Sequence, residues 1–326
     1  MANRRDFVRG GVGIESGQPI PEQVAVSQRH FNDATGTAEN GIIVRDGLHQ
    51  SVVFWAIVSV MNLSLLYRGV SKGIEAFCKW ALPLMCLFGF VVLVRVLTLG
   101  TPDPAVPENN VENGLGFMWN PDFEQLWNFE AWLAAAGQIF FTLGVGFGIL
   151  INYSSYLRAR DDVVLSGLHA SATNELSEVG LGGLITIPAA VVFLGVAVTQ
   201  EATSSGSSYD LGFQTLPVVF AHMPLGNFFG AVWFLMLFLA AIMSSMSMIQ
   251  PAKAFFEESL GLSHRAATVL IALVTVLGSF FVIWYSHARL ALDTLDFWCT
   301  FLMFILATIQ IVLFAWVFGI DRGLTE

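Results

Sequence analysis

Seven apolar runs, at residues 51–67, 76–98, 131–156, 163–199, 227–256, 266–286 and 290–318, fill most of this chain. A run of about 20 apolar residues is long enough to cross the ~30 Å hydrocarbon core of a bilayer as a helix. Within lipid every backbone amide and carbonyl must be paired inside the protein, which leaves helices or a closed barrel. Runs of this length favour helices. The chain therefore reads as an all-α integral membrane protein with about seven transmembrane helices. Composition agrees: 55% of residues are hydrophobic and 12% charged, where a soluble domain carries about a quarter charged residues. The fourth run is too long for one crossing and its first half is polar, so its boundaries stay open. Residues 1–49 are polar and show no helical period. They read as a loop or disordered arm ahead of a helical bundle at 50–326.

Loop charge sets an expected orientation. Arg68, Lys72 and Lys79 follow the first run, Arg158 and Arg160 the third, Lys253 and Arg265 the fifth. The loop at 100–130 instead holds Asp103, Glu108, Glu112, Asp122, Glu124 and Glu130 with no Lys or Arg, and 200–226 has none either. Basic loops stay in the cytoplasm, which puts the C-terminus inside and the arm outside a cell membrane. Of the arm's arginines only Arg45 lies close to a run, and distant charges count little. Trp119, Trp127 and Trp132 gather where an outer aromatic belt would lie, and Arg95 is placed to snorkel to headgroups. A Ser/Gly stretch at 203–208 leads into an apolar segment at 211–220, too short to span and expected to cap the outer face.

The net charge of −10 offers no footprint for nucleic acid. Arg4 and Arg5 precede a polar, Gly-rich stretch, so they do not make a twin-arginine export signal. Cys78, Cys86 and Cys299 lie in or beside apolar runs without paired spacing, and read as buried thiols. His169, His222, His264 and His287 are scattered with no metal or nucleophile motif, which points away from an enzyme.

Three segments carry polar chemistry inside apolar runs. The third run contains Gly144, Gly146 and Gly148 at alternate positions, each costing a helix about 1 kcal/mol relative to Ala. Either the helix breaks there around a cavity or ion, or Gly144 and Gly148 form a small-residue packing face. The fourth run carries Asn174 and Glu178, four apart on one helix face. Such a carboxylate either faces a polar interior with a partner or sits wet at the interface. The fifth carries Ser244, Ser245 and Ser247 ahead of Pro251. Serines in spans usually bond to their own or a neighbouring helix, and Pro251 should kink the helix.

In chain order, the segments 68–75 (RGVSKGIE), 137–148 (GQIFFTLGVGFG), 153–156 (YSSY), Asn174–Glu175, 212–217 (GFQTLP), Ser244–Ser245, Gln250–Pro251 and 296–298 (DFW) resemble the neurotransmitter:sodium symporter family. The bacterial leucine transporters belong to it. The resemblance covers about residues 50–322 and implies part of an inverted-repeat, leucine-transporter-type fold. The chain looks like helices four to ten of the family's twelve, an incomplete transporter.

The same resemblance implies site roles. Phe141, Thr142, Gly144 and Phe147, with Ser244 and Met248, match the substrate-lining wall. Thr142 and Asn174 match oxygen ligands of a first sodium. Ala240 and Ser244 match ligands of a second, where Met243 stands in place of a hydroxyl, and a soft thioether is a poor sodium ligand. Glu178 matches the position of a small hydroxyl residue beside chloride in chloride-dependent relatives, and its carboxylate would replace that anion. Asp296 matches an outer-gate acid, Phe213 an outer lid, and Ser155, Tyr156, Gln250 and Glu258 an inner gate. The implied function is sodium-coupled symport of an amino acid or related small solute by alternating access, with no organic cofactor. The competing reading is a truncated, non-transporting membrane protein acting as a binding partner.

Overall fold

In the computed structural model of the chain, residues 19–41, 50–158, 160–204 and 211–321 are described. Arg4, Arg5 and Arg45, and most of the Ser/Gly stretch, lie outside them. The described residues are helical, with no strand among them. Among the described residues, six helices are long and apolar enough to cross a membrane: Gln50–Tyr67, Val70–Leu97, Val163–Leu194, Gly226–Glu258, His264–Trp284 and His287–Gly319. The remaining apolar run, the third, is broken.

The elements, in order, are α1 (Ile20–Thr35), α2 (Gln50–Tyr67), α3 (Ala76–Leu97), α4 (Val111–Trp119), α5 (Phe129–Leu143), α6 (Ile149–Ser154), α7 (Val163–Glu175), α8 (Leu184–Leu194), α9 (Val196–Ser204), α10 (Leu216–His222), α11 (Gly226–Glu258), α12 (His264–Trp284) and α13 (Leu290–Val312). Wider π-type turns occupy Val70–Glu75, Leu176–Gly183, Leu211–Thr215 and Leu313–Gly319. The overlong fourth run thus resolves into α7, a π stretch and α8, ending at Gly195 with φ of 85°.

Two compact units emerge. The first comprises Met1–Gly36, Trp80–Pro121 and Leu176–Ala240. Its core is apolar: Val92 and Val96 of α3, Ile185, Ala189 and Leu194 of α8, Leu216 and Val219 of α10, and Trp233 of α11. α8 is hydrophobic on every side and correspondingly buried. A Cβ on Gly114 would lie 2.6 Å from the Pro188 α-carbon, so α4 and α8 meet backbone to backbone. The 211–220 segment is a core element here, with Leu216, Val218 and Val219 fully buried.

The polar arm needs correcting, because α1 is a 16-residue helix within it. Pro21 opens it and Gly36, at φ 76°, ends it, the usual asymmetry of helix termini. Its buried residues are Gln23 and Ser27, while Ile20, Val24 and Val26 pack partly buried against the core. Gln23 Oε1 lies 2.7 Å from His222 Nε2, and Phe31 packs on Phe213 at 5.9 Å between centroids. Arg95 places its guanidinium 5.9 Å over the Phe229 ring, a cation–π contact with the protein. Of the three free cysteines, Cys299 is exposed rather than buried.

The second unit comprises Thr37–Lys79, Asp122–Glu175 and Ala241–Glu326. Trp55 Nε1 donates to Ser279 Oγ at 2.9 Å, tying α2 to α12. Phe304 of α13 packs edge-on against Phe140 of α5 at 5.7 Å. Ser263 caps α12 by accepting from the Ala266 amide. α11 runs on through Pro251 to Glu258, which corrects the placing of Lys253 among loop charges. It is a helical residue, 2% exposed.

Candidate functional site

The break expected at the glycines is present. α5 ends at Leu143, and Gly144 adopts φ 67°, ψ 25°. The Gly144 amide donates to the Phe141 carbonyl at 3.1 Å and the Val145 amide to the Phe140 carbonyl at 2.9 Å. These are the paired bonds of a Schellman motif, which needs a left-handed residue and so favours glycine. The carbonyls of Thr142 and Leu143 take no part in it. Gly146 (φ 90°) and Gly148 (φ 75°) keep the chain out of a helix until α6. The open alternatives for this segment therefore resolve in favour of a break.

Gly146 also does something that its conformation alone would not require. A Cβ on it would lie 2.6 Å from the Met303 carbonyl oxygen and 3.2 Å from the Ala307 amide nitrogen. The break is seated directly on the backbone of α13. Met303 and Ala307 are buried, and the alternating glycines were the visible signal for this approach.

The residues that the resemblance assigns to the site lie on α5, α7 and α11, on the break itself and on the π stretch after α7. Phe141 and Phe147 flank the break, with ring centroids 6.1 Å apart in an edge-on arrangement. Thr142 is half-buried, and its hydroxyl makes a long 3.4 Å bond to the Ile139 carbonyl. Asn174, half-buried, is the penultimate residue of α7, and α5 and α7 touch. Ser244 and Met248 lie one helical turn apart on α11 and are exposed. Ala240 and Met243 precede them on the same helix. Glu178 lies in the π stretch after α7 and is half-buried.

Gln250 Nε2 donates to the Tyr156 hydroxyl at 3.3 Å, which brings together two of the residues that the resemblance assigns to an inner gate. Ser155 bonds its own turn through the Asn152 carbonyl. Glu258 and Asp296 are exposed, and Phe213 packs between Phe31 and Phe234 of the first unit.

Several polar contacts in the second unit had no clear sequence signal. Tyr153 and Ser247 are bonded at 3.1 Å, joining α6 to α11. Ser245 donates to Asn62 Oδ1 at 2.7 Å, joining α11 to α2. Asn152 Oδ1 and Gln250 Oε1 are buried with no donor in reach. Such oxygens call for water or a cation. Among the described residues no cluster of three or more His, Cys, Asp or Glu side chains could hold a metal ion. The oxygen chemistry near the break is neutral instead: a hydroxyl, amides and backbone carbonyls, the donor set a hard monovalent cation uses.

The model of the sodium:neurotransmitter symporter family matches residues 24–326. This chain belongs to that family. A family member described as an uncharacterized sodium-dependent transporter of Haemophilus influenzae is 30% identical over 220 residues, 67% of this chain and 44% of that one. One from Methanocaldococcus jannaschii is 26% identical over 299 residues, 89% and 56% of the two chains. The chain thus spans about half the length of these curated relatives. Among solved structures, MhsT in complex with L-phenylalanine matches with a TM-score of 0.66 and 25% identity, over 81% of this chain and 58% of that one. The symporter-family fold is thus of the leucine-transporter type, and the protein is a multi-pass membrane protein.

Proposed function

We propose that this protein takes part in sodium-coupled symport of an amino acid or a related small solute by alternating access, in a cell membrane and with its C-terminus in the cytoplasm. The observation that carries the reading is the non-helical backbone at 144–148 inside an apolar run. Exposed backbone groups at membrane depth are stable only around a cavity or a bound solute. Sodium, as co-substrate, is assigned to Thr142 and Asn174. The substrate's carboxylate lies beside it, against free amides of the broken helix. Phe141, Phe147, Ser244 and Met248 line the substrate, with Gly144 leaving room for it. Ala240 and Ser244 would offer oxygen to a second sodium, and Met243 weakens that site. Glu178 supplies the negative charge that chloride provides elsewhere. Ser155, Tyr156, Gln250 and Glu258 gate one side, Asp296 and Phe213 the other. Support comes from family membership, from relatives named as sodium-dependent transporters, and from an aromatic amino acid bound by a structural neighbour.

The test is binding of labelled L-phenylalanine and of other amino acids to the purified protein in nanodiscs, with sodium or with choline. Binding that needs sodium, and that falls by about tenfold or more in Thr142→Val and Asn174→Leu, supports the assignment; tenfold is 1.4 kcal/mol. Equal binding by parent and variants removes it.

A further inference from the structure

A cluster of ionisable groups lies where three helices of the second unit meet. Lys253 and Glu257 come from the last turns of α11, His264 opens α12, and the Tyr67 carbonyl ends α2. Lys253 Nζ is 3.3 Å from Glu257 Oε1 and 3.3 Å from His264 Nδ1. His264 Nδ1 is also 3.0 Å from Glu257 Oε1. On the far side of the ring, Nε2 is 2.8 Å from the Tyr67 carbonyl oxygen.

The chemistry of these atoms leaves few arrangements. A backbone carbonyl only accepts, so Nε2 carries a proton whenever this bond is made. A neutral ring then presents a lone pair at Nδ1, which accepts from the Lys253 ammonium and can make no bond to a carboxylate. A protonated ring presents N–H at Nδ1, which donates to Glu257 and can make no bond to an ammonium. Both partners stand within reach of one nitrogen, and its protonation decides between them.

We infer that His264 is a proton-binding site whose occupancy exchanges Lys253 for Glu257 as the partner of Nδ1, at the joint of α2, α11 and α12. The proton comes from water, since the His264 side chain is 46% exposed. It forms an N–H bond at Nδ1 and breaks the Lys253 contact. Lys253, 2% exposed, then depends on Glu257 alone. The cluster changes from one cation and one anion to two cations sharing one carboxylate. A buried charge that loses a partner is costly, so this exchange loads the joint. The charged residues next to the cluster residues in the chain are Arg265 on α12, Glu258 on α11 and Arg68 after α2, all exposed. The Tyr67 ring lies 5.7 Å from the imidazole.

The experiment uses the full chain in nanodiscs with ring-¹⁵N histidine, the His264 signals being assigned by their loss in His264→Gln. Spectra are recorded across a pH series: the expected pattern for the neutral ring is a proton on Nε2 with Nδ1 accepting, and for the protonated ring a proton on both nitrogens. Lys253→Met and Glu257→Gln remove opposite charges and move the titration midpoint in opposite directions. A neutral ring protonated on Nδ1 overturns the inference, as does a midpoint indifferent to both substitutions or moved the same way by both. Should Lys253→Met fail to fold, the tautomer in the parent and the response to Glu257→Gln decide.

Discussion

Gly146 lies so close to Met303 that a Cβ on the glycine would sit 2.6 Å from the Met303 carbonyl oxygen. Contact of this kind fixes the broken segment against α13, the helix that also carries Asp296 seven residues before Met303. Gly146→Ala would meet both a left-handed backbone at φ 90° and this carbonyl, neither of which can give way cheaply. The expected result is a loss of at least about 2 kcal/mol, read as a lowered thermal midpoint, together with loss of sodium-dependent ligand binding. Gly167→Ala, in α7 with nothing within 4 Å of its added Cβ, serves as the control. It should be neutral or stabilising by about 0.5–1 kcal/mol. Equal tolerance at both positions would show that the approach to α13 carries no weight.

Tyr156→Phe removes the acceptor of the Gln250 amide. Gln250 is 1% exposed, so its NH₂ group is left buried without that partner, at a cost of about 1–3 kcal/mol. Thermal unfolding in nanodiscs should register the change. A midpoint unchanged within error would mean that water already satisfies this amide.

The Ser245–Asn62 bond at 2.7 Å can be weighed by a double-mutant cycle. Ser245→Ala should cost about 1 kcal/mol, although the hydroxyl also reaches the Ile242 carbonyl at 3.2 Å. Asn62→Leu should cost more, since Asn62 is 7% exposed and tightly surrounded. The double variant should be less damaged than the sum by about 0.5–1.5 kcal/mol. Strict additivity would mean that the two side chains are not coupled.

Glu178→Ser replaces a carboxyl group with a hydroxyl at the position proposed to stand in for chloride. Sodium-driven uptake by the parent protein should survive replacement of chloride by gluconate, and uptake by the variant should come to need chloride. A parent that loses most of its uptake in gluconate would contradict the role given to Glu178.

The membrane-spanning helices were legible because their signal is cumulative: some twenty apolar residues in sequence leave the backbone only one way to pair its polar groups. The break was half legible: Gly144, Gly146 and Gly148 are three helix-weakening residues in a run otherwise suited to helix, but the same spacing suits a packing face, and the left-handed backbone at all three decides for the break. α1 was missed because its most buried positions, Gln23 and Ser27, are polar and interrupt the apolar residues Ile20, Val24 and Val26 that it packs, partly buried, against the core. Pro21 and Gly36 marked its ends, but an apolar stripe was the weightier expectation.

Amino-acid order alone determined the class of solvent and the approximate helix positions, because each depends on residues adjacent in the chain. Only the tertiary structure decided that Gly146 meets Met303, that Tyr156 reaches Gln250, and that Lys253, Glu257 and His264 share one nitrogen. A lysine near a helix end looks like any loop charge until a second helix closes over it. Burial and hydrogen-bond choice depend on what packs from elsewhere in the chain, and no local pattern records that.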